Sequence, residues 1–240
     1  MGNRVQCVMM NPRKPTAGQL ATFEPRLDIL PSAQKRLWPD LSATPEEFTL
    51  YGGTAIALRL GHRPSVDFDF FGTESFQPNE ILQKIPYLRD ATVRQSSPDT
   101  LTVTVERDGP VQVSLFGGIK NGQVELPERA QGPNIKVASL IDLAGYKVAV
   151  LPQRVEIKDY TDVHTLLTKA NIPLAKMLAA GKIIYGKQFI PLVALKALAY
   201  HDDPALTELS AEVRRDLIAA IKATDPQDLP DLAAIKKAPQ

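Results

Sequence analysis

The 240-residue chain is 44% apolar and 23% charged, with a net charge of +1. That balance fits a globular fold and gives no whole-chain pull toward nucleic acid or membrane. The single cysteine, Cys7, excludes a disulfide framework and a thiolate metal site and suits a reducing cytoplasm, while no stretch nears the roughly 18 apolar residues of a membrane helix.

The opening MGNRVQCVMMNPRKP has too short an apolar patch for a secretory leader, and residues 1–20 read as a loose arm. Phe48 to Tyr51 reads as a strand ending at Gly52-Gly53. Thr54 to Leu60 suits a short helix stopped by Gly61. Val66 to Phe71 alternates like a strand, with Val66, Phe68 and Phe70 expected in the core. A helix is expected from Pro78 to about Ile85. Next comes a hairpin, Thr100 to Glu106 and Val111 to Phe116, turning at Arg107-Asp108-Gly109-Pro110. From Ser139 the period becomes helical, with runs at 139–148, 157–169, 173–185, 191–200 and 207–223. The pattern predicts an α+β fold: a mixed sheet with flanking helices over 21–133, a helical domain over 134–225, and a loosely ordered tail over 226–240.

The segment 50–71, LYGGTAIALRLGHRPSVDFDFF, concentrates the chemistry. Gly52 and Gly53 let backbone amides approach a ligand, and the helix N-terminus behind them adds unpaired N–H groups and a positive dipole, an arrangement suited to a triphosphate. Thr54 adds a hydroxyl. Asp67 and Asp69, at i and i+2 of a strand, share one face about 6–7 Å apart and suit a divalent cation, Mg2+ or Mn2+, that bridges nucleotide phosphates.

Residues 52–71 resemble the signature of the AbiEii/AbiGii toxin family, nucleotidyltransferases of the DNA polymerase β superfold, including Arg59, His62, Arg63 and Ser65. Further along, Lys147, Arg154 and Lys158-Asp159-Tyr160-Thr161-Asp162 resemble the family's lysine, arginine and K-D-x-x-D positions. On a helix Lys158, Asp159 and Asp162 share a face. In this reading Lys147 and Lys158 neutralise phosphate charge, Asp159 or Asp162 orients an incoming hydroxyl, Arg63 and Ser65 contact the nucleotide, and Arg59 braces the carboxylate strand. His62 reads as a solvated loop residue, and His201-Asp202-Asp203 as a helix end rather than a metal cluster.

One feature departs from the polymerase β pattern. The strand at Val111–Phe116 offers Gln112 and Ser114 where a third carboxylate is usual, so that either Asp159 or Asp162 compensates, or Glu106 reaches in from the hairpin partner, or metal binding is weak. The resemblance implies a Mg2+-dependent enzyme that moves a nucleotidyl group from an NTP to an RNA (in some members tRNA) or protein hydroxyl, as the toxin of a toxin–antitoxin or phage-defence pair with an antitoxin as partner. A nucleotide-binding regulator without catalysis, or a phosphotransferase moving the γ-phosphate, are the alternatives. Lys169, Lys176, Lys182, Lys187 and Lys196, with no acid between Asp162 and Asp202, form a basic helical stretch fit to track a nucleic-acid backbone.

Overall fold

Strict alternation of buried and less buried residues along the strands at 48–51 and 67–72 gives the sheet two unlike faces. The computed structural model describes residues 20–238; Cys7 and all but the last residue of the arm expected at 1–20 lie outside them. Eight strands form one mixed sheet: β1 (Thr22–Phe23), β2 (Phe48–Tyr51), β3 (Asp67–Gly72), β4 (Thr92–Ser97), β5 (Thr100–Glu106), β6 (Pro110–Phe116), β7 (Glu128–Ala130) and β8 (Lys136–Val137). Their spatial order is β1-β7-β8-β2-β3-β6-β5-β4.

Phe48, Leu50, Phe68, Phe70, Val113 and Leu115 fill one face. There Phe68 meets Trp38 and Phe48 meets Phe76, with ring centroids 6.3 and 5.8 Å apart. The opposite face carries Tyr51, Asp67, Asp69, Phe71 and Gln112. Pairing of β3 begins at Asp67, antiparallel to β2 (Tyr51 opposite Asp69) and parallel to β6 (Asp67 opposite Gln112, Asp69 opposite Ser114). Val66, expected in the core, is instead 49% exposed: it precedes the first paired residue of β3, lines the cleft, and its carbonyl accepts from the Gln34 amide.

The helices are α1 (Ser32–Leu37), α2 (Gly52–Leu60), α3 (Pro78–Lys84), α4 (Leu140–Val150), α5 (Ile157–Thr168), α6 (Leu174–Tyr185), α7 (Pro191–Ala199) and α8 (Ala211–Lys222). The hairpin and the helices after residue 139 match the periodicity closely, with Ser139 capping α4 through the Asp142 amide. Strand β4 had no signal to find, since all six of its residues are exposed. Helix α4 approaches α6 so closely at Gly145 that a Cβ there would lie 3.0 Å from Ala180. The tail, expected to be loose, forms no long element but is tied down: Gln123 bridges to Lys236, and the Ala238 amide donates to the Ile183 carbonyl at 3.2 Å. These backbone bonds fix a segment whose composition alone suggests disorder.

Candidate active site

Where β2 runs into α2, the chain must leave a strand and start a helix without a connecting loop. Gly52 makes this possible at φ +74°, a left-handed conformation that side chains resist. It is also required from the side: a Cβ on Gly52 would lie 2.7 Å from an Asp69 carboxylate oxygen. A Cβ on Gly53 would lie 2.1 Å from the Arg63 guanidinium. The glycines therefore let the carboxylate strand and the Arg63 loop close onto the helix start, and leave the first amides of α2 with no side-chain cap.

Asp67 and Asp69 enter one cleft of about 500 Å3, within the usual range for small-molecule sites. Its other lining includes Gly52, Gly53, Arg63, Gln112, Lys147, Arg154 and Lys158. Two carboxylates on the sheet thus face four cationic side chains from the loop after α2, from α4, from the α4–α5 connection and from α5. Burial, and then the charge of Asp67, push the Asp69 carboxyl above its ordinary range, against the hydrogen bond from Ser114 and the charges of Lys147 and Lys158.

The helical side is held by a buried ion-pair chain. Lys147 donates to Asp159 at 2.6 Å and lies 2.8 Å from Asp162. Asp159 also accepts from Arg154 at 2.9 Å. Asp162 takes both a two-pronged contact from Arg63, at 2.7 and 2.9 Å, and the His62 Nε2 at 2.6 Å. Burial alone would raise the Asp162 carboxyl, but hydrogen bonds from His62 and Arg63 and the charge of Lys147 outweigh it and hold it far below the usual carboxylate range.

This geometry corrects several sequence expectations. Asp159 and Asp162 do not face the cleft; both are fully buried, with their oxygens taken by cations, so neither is placed to orient a hydroxyl. Glu106 pairs opposite Pro110 at the end of β5 and is not part of the cleft wall, so no acid stands in for Gln112 or Ser114 among the described residues. Thr54 and Ser65 line the cleft, yet their hydroxyls bond each other at 2.7 Å, and Thr54 also donates to the Asp67 carbonyl. They fasten α2 to the start of β3 rather than presenting hydroxyls outward. Arg59 reaches Glu128 and the Val137 and Ala138 carbonyls and lies over the Phe23 ring, bracing the β7–β8 edge instead of the carboxylate strand. His62, expected to be solvated, has a side chain only 2% exposed. Arg154, named in the sequence only as the family's arginine position, lines the cleft, as do the aromatic residues Tyr51, Phe71 and Tyr146, which the sequence did not single out. Lys158 does reach the cleft, although Glu156 holds it at 2.8 Å. The five lysines of the basic helical stretch are not part of the cleft wall.

The architecture is that of the nucleotidyltransferase fold. It superposes on the nucleotidyltransferase toxin MenT4 of Mycobacterium tuberculosis with a TM-score of 0.53 at 17% identity, covering 81% of this chain and 84% of that one. A candidate nucleotidyltransferase from H. pylori gives the same TM-score at 16% identity, covering 80% and 92%. The family model described as "Nucleotidyl transferase AbiEii toxin, Type IV TA system" matches residues 36–238, and the chain belongs to that family. An uncharacterized protein of Aquifex aeolicus is 31% identical over 159 residues, 65% of this chain and 75% of that protein. No helix among the described residues is long and apolar enough to cross a membrane.

Proposed function

We propose that the cleft binds an NTP and transfers its nucleotidyl group to a hydroxyl of an RNA or protein acceptor. One observation carries this reading: Asp67 and Asp69 project into a cleft whose other wall holds Arg63, Lys147, Arg154 and Lys158, beside an uncapped helix start at Gly52-Gly53. A polyphosphate needs cations and amides along its length, and a carboxylate pair only where a metal ion intervenes. Among the described residues no group of three His, Cys, Asp or Glu forms a closed metal cage. A two-carboxylate donor set fits Mg2+ or Mn2+, which take one or two protein carboxylates and fill their remaining positions with phosphate and water oxygens. When bound by Asp67 and Asp69, such an ion supplies charge stabilisation at the phosphates.

The protein's own groups account for the rest. The amides of Gly53 and Thr54 and the Lys147 ammonium offer donors to the phosphates. Arg63 and Lys147 are pre-positioned by Asp162, so their rotamers are fixed before the nucleotide arrives. Gln112 offers an amide beside Asp67 where an acid is usual, which leaves activation of the acceptor hydroxyl to the Asp67–Asp69 pair. Family membership supports a role as the toxin of a toxin–antitoxin pair restrained by an antitoxin, and the lone cysteine suits the cytoplasm.

The test is incubation with Mg2+ and NTPs labelled at the α or the γ position, in the presence of RNA or protein extracts. Transfer of α label that is lost in Asp67→Asn supports the reading. Transfer of γ label alone replaces it with a phosphotransferase. NTP binding without transfer of either label favours the regulator that the missing third carboxylate would produce.

A further inference from the structure

Helix α7 is apolar on both sides. Ala194, Leu195 and Leu198 are buried, while Leu192 and Val193 on the outer side are 49% and 44% exposed. Ile190 and Tyr200, which flank the helix, are 58% and 55% exposed. A helix with this pattern is normally covered on both sides, and a contiguous apolar patch marks an interaction surface. Beside it runs an open groove of about 410 Å3, with Leu151, Pro152 and Val155 on one wall and Val193, Ala197 and Tyr200 on the other. The two ends of the patch carry opposite charge: Lys187 precedes it and Asp202 follows it, both exposed. Among the described residues neither takes part in an ion pair, nor does Lys196, the one charged residue of α7.

We infer that this face joins two copies of the chain about a two-fold axis, with their α7 helices antiparallel. An apolar patch with a cation at one end and an anion at the other is complementary to itself in that orientation, whereas a parallel one would set like charges together. Pairing Lys187 with Asp202 of the second copy carries Ile190 to that copy's Tyr200 end, over the groove, where both side chains leave water. Lys196 then lies near the axis, resting its methylenes on apolar surface while its ammonium stays in solvent. Aliphatic side chains and a terminal carboxylate suit a nucleic-acid backbone poorly, so two of the five lysines of the basic helical stretch serve pairing instead. One helix face with its groove is at the small end of stable interfaces, which sets the dimer in the micromolar range. The second copy lies against the α4–α5 connection, whose Arg154 lines the cleft. The inference stands apart from the nucleotidyl-transfer reading.

Sedimentation velocity of the full chain across the micromolar range, without nucleotide, should show a shift from one chain to two. Ile190→Asp should weaken pairing about a hundredfold or more, because it removes an apolar contact twice per dimer and sets a carboxylate near Asp202 of the second copy. The fold should hold, since Ile190 is the N-cap of α7 and aspartate suits that position; a Tm no lower than the parent's checks this. Lys187→Glu should weaken pairing about tenfold, through two lost ion pairs and two new repulsions, and K187E/D202K should recover the parental affinity. A parent that stays single throughout overturns the inference. So does a dimer that Ile190→Asp leaves intact, or a charge swap that recovers nothing. If the parent stays single and instead binds a short single-stranded RNA that Lys187→Glu releases, the face belongs to nucleic acid and the inference fails.

Discussion

Two acidic pairs, Asp67/Asp69 on β3 and Asp159/Asp162 on α5, look alike on paper and do opposite work. The sheet pair is presented to the cleft with no ion pair of its own among the described residues, and burial, then the charge of Asp67, raise the Asp69 carboxyl. The helix pair is wholly buried and covered by Lys147, Arg154, Arg63 and His62. An open, unsatisfied pair can take a cation with its phosphates. A closed, satisfied pair sets the position of the groups that hold them. Acidic residues in a family motif thus divide into those that face the substrate and those that face the cations.

The contrast can be tested first where it is largest. Asp162→Asn should destabilise the protein by about 3–5 kcal/mol at neutral pH, since it removes the buried counter-charge of Arg63 and Lys147. Because the folded carboxyl is held far below its usual range, that contribution is complete above the unfolded value of about 4 and fades as the pH falls below it. Urea unfolding of both chains at pH 7 and at acid pH should show the gap closing, and a constant gap would mean that Asp162 is braced by packing rather than by charge.

Asp67→Asn should behave the other way, with stability almost unchanged and transfer slowed by about 10²–10³. Single-turnover rates beside a thermal melt measure both. A parallel fall in Tm and rate would erase the distinction between the pairs.

Gly52→Ala is expected to cost about 1–3 kcal/mol, through a side chain at positive φ, and to displace Asp69, which its Cβ would crowd. Chemical denaturation and the Mn2+ dissociation constant report the two effects separately. Metal affinity left at the parental value would show that Asp69 has room to spare.

The smallest effect has an unusual sign. With no metal present, Asp69→Asn should slightly raise the Tm at pH 7. A carboxyl whose folded value lies above its unfolded one costs stability once ionised, and the gain should vanish below pH 4, where both states carry the proton. A lower Tm at pH 7 would mean that Asp69 is stabilised by its surroundings rather than strained.

Strand and helix periods alone mark the glycine junction, the Asp67–Asp69 strand, the hairpin from Thr100 to Phe116 and the helices after Ser139. Each of these depends on neighbours within a few residues, so the information is local. The exposed β4 and the two-residue strands β1 and β8 have no period long enough to detect. The family motif also marks Lys147 and Lys158, and both reach the cleft. What it does not carry is direction. Whether Asp162 faces a substrate or Arg63, and whether His62 meets water or a buried carboxylate, turns on partners about 100 residues away that only the packing of α2 against α4 and α5 brings together. Burial and charge pairing are properties of that assembled interface. The residue types on the chain set the possible chemistry, and the three-dimensional neighbours decide which carboxylates remain free to perform it.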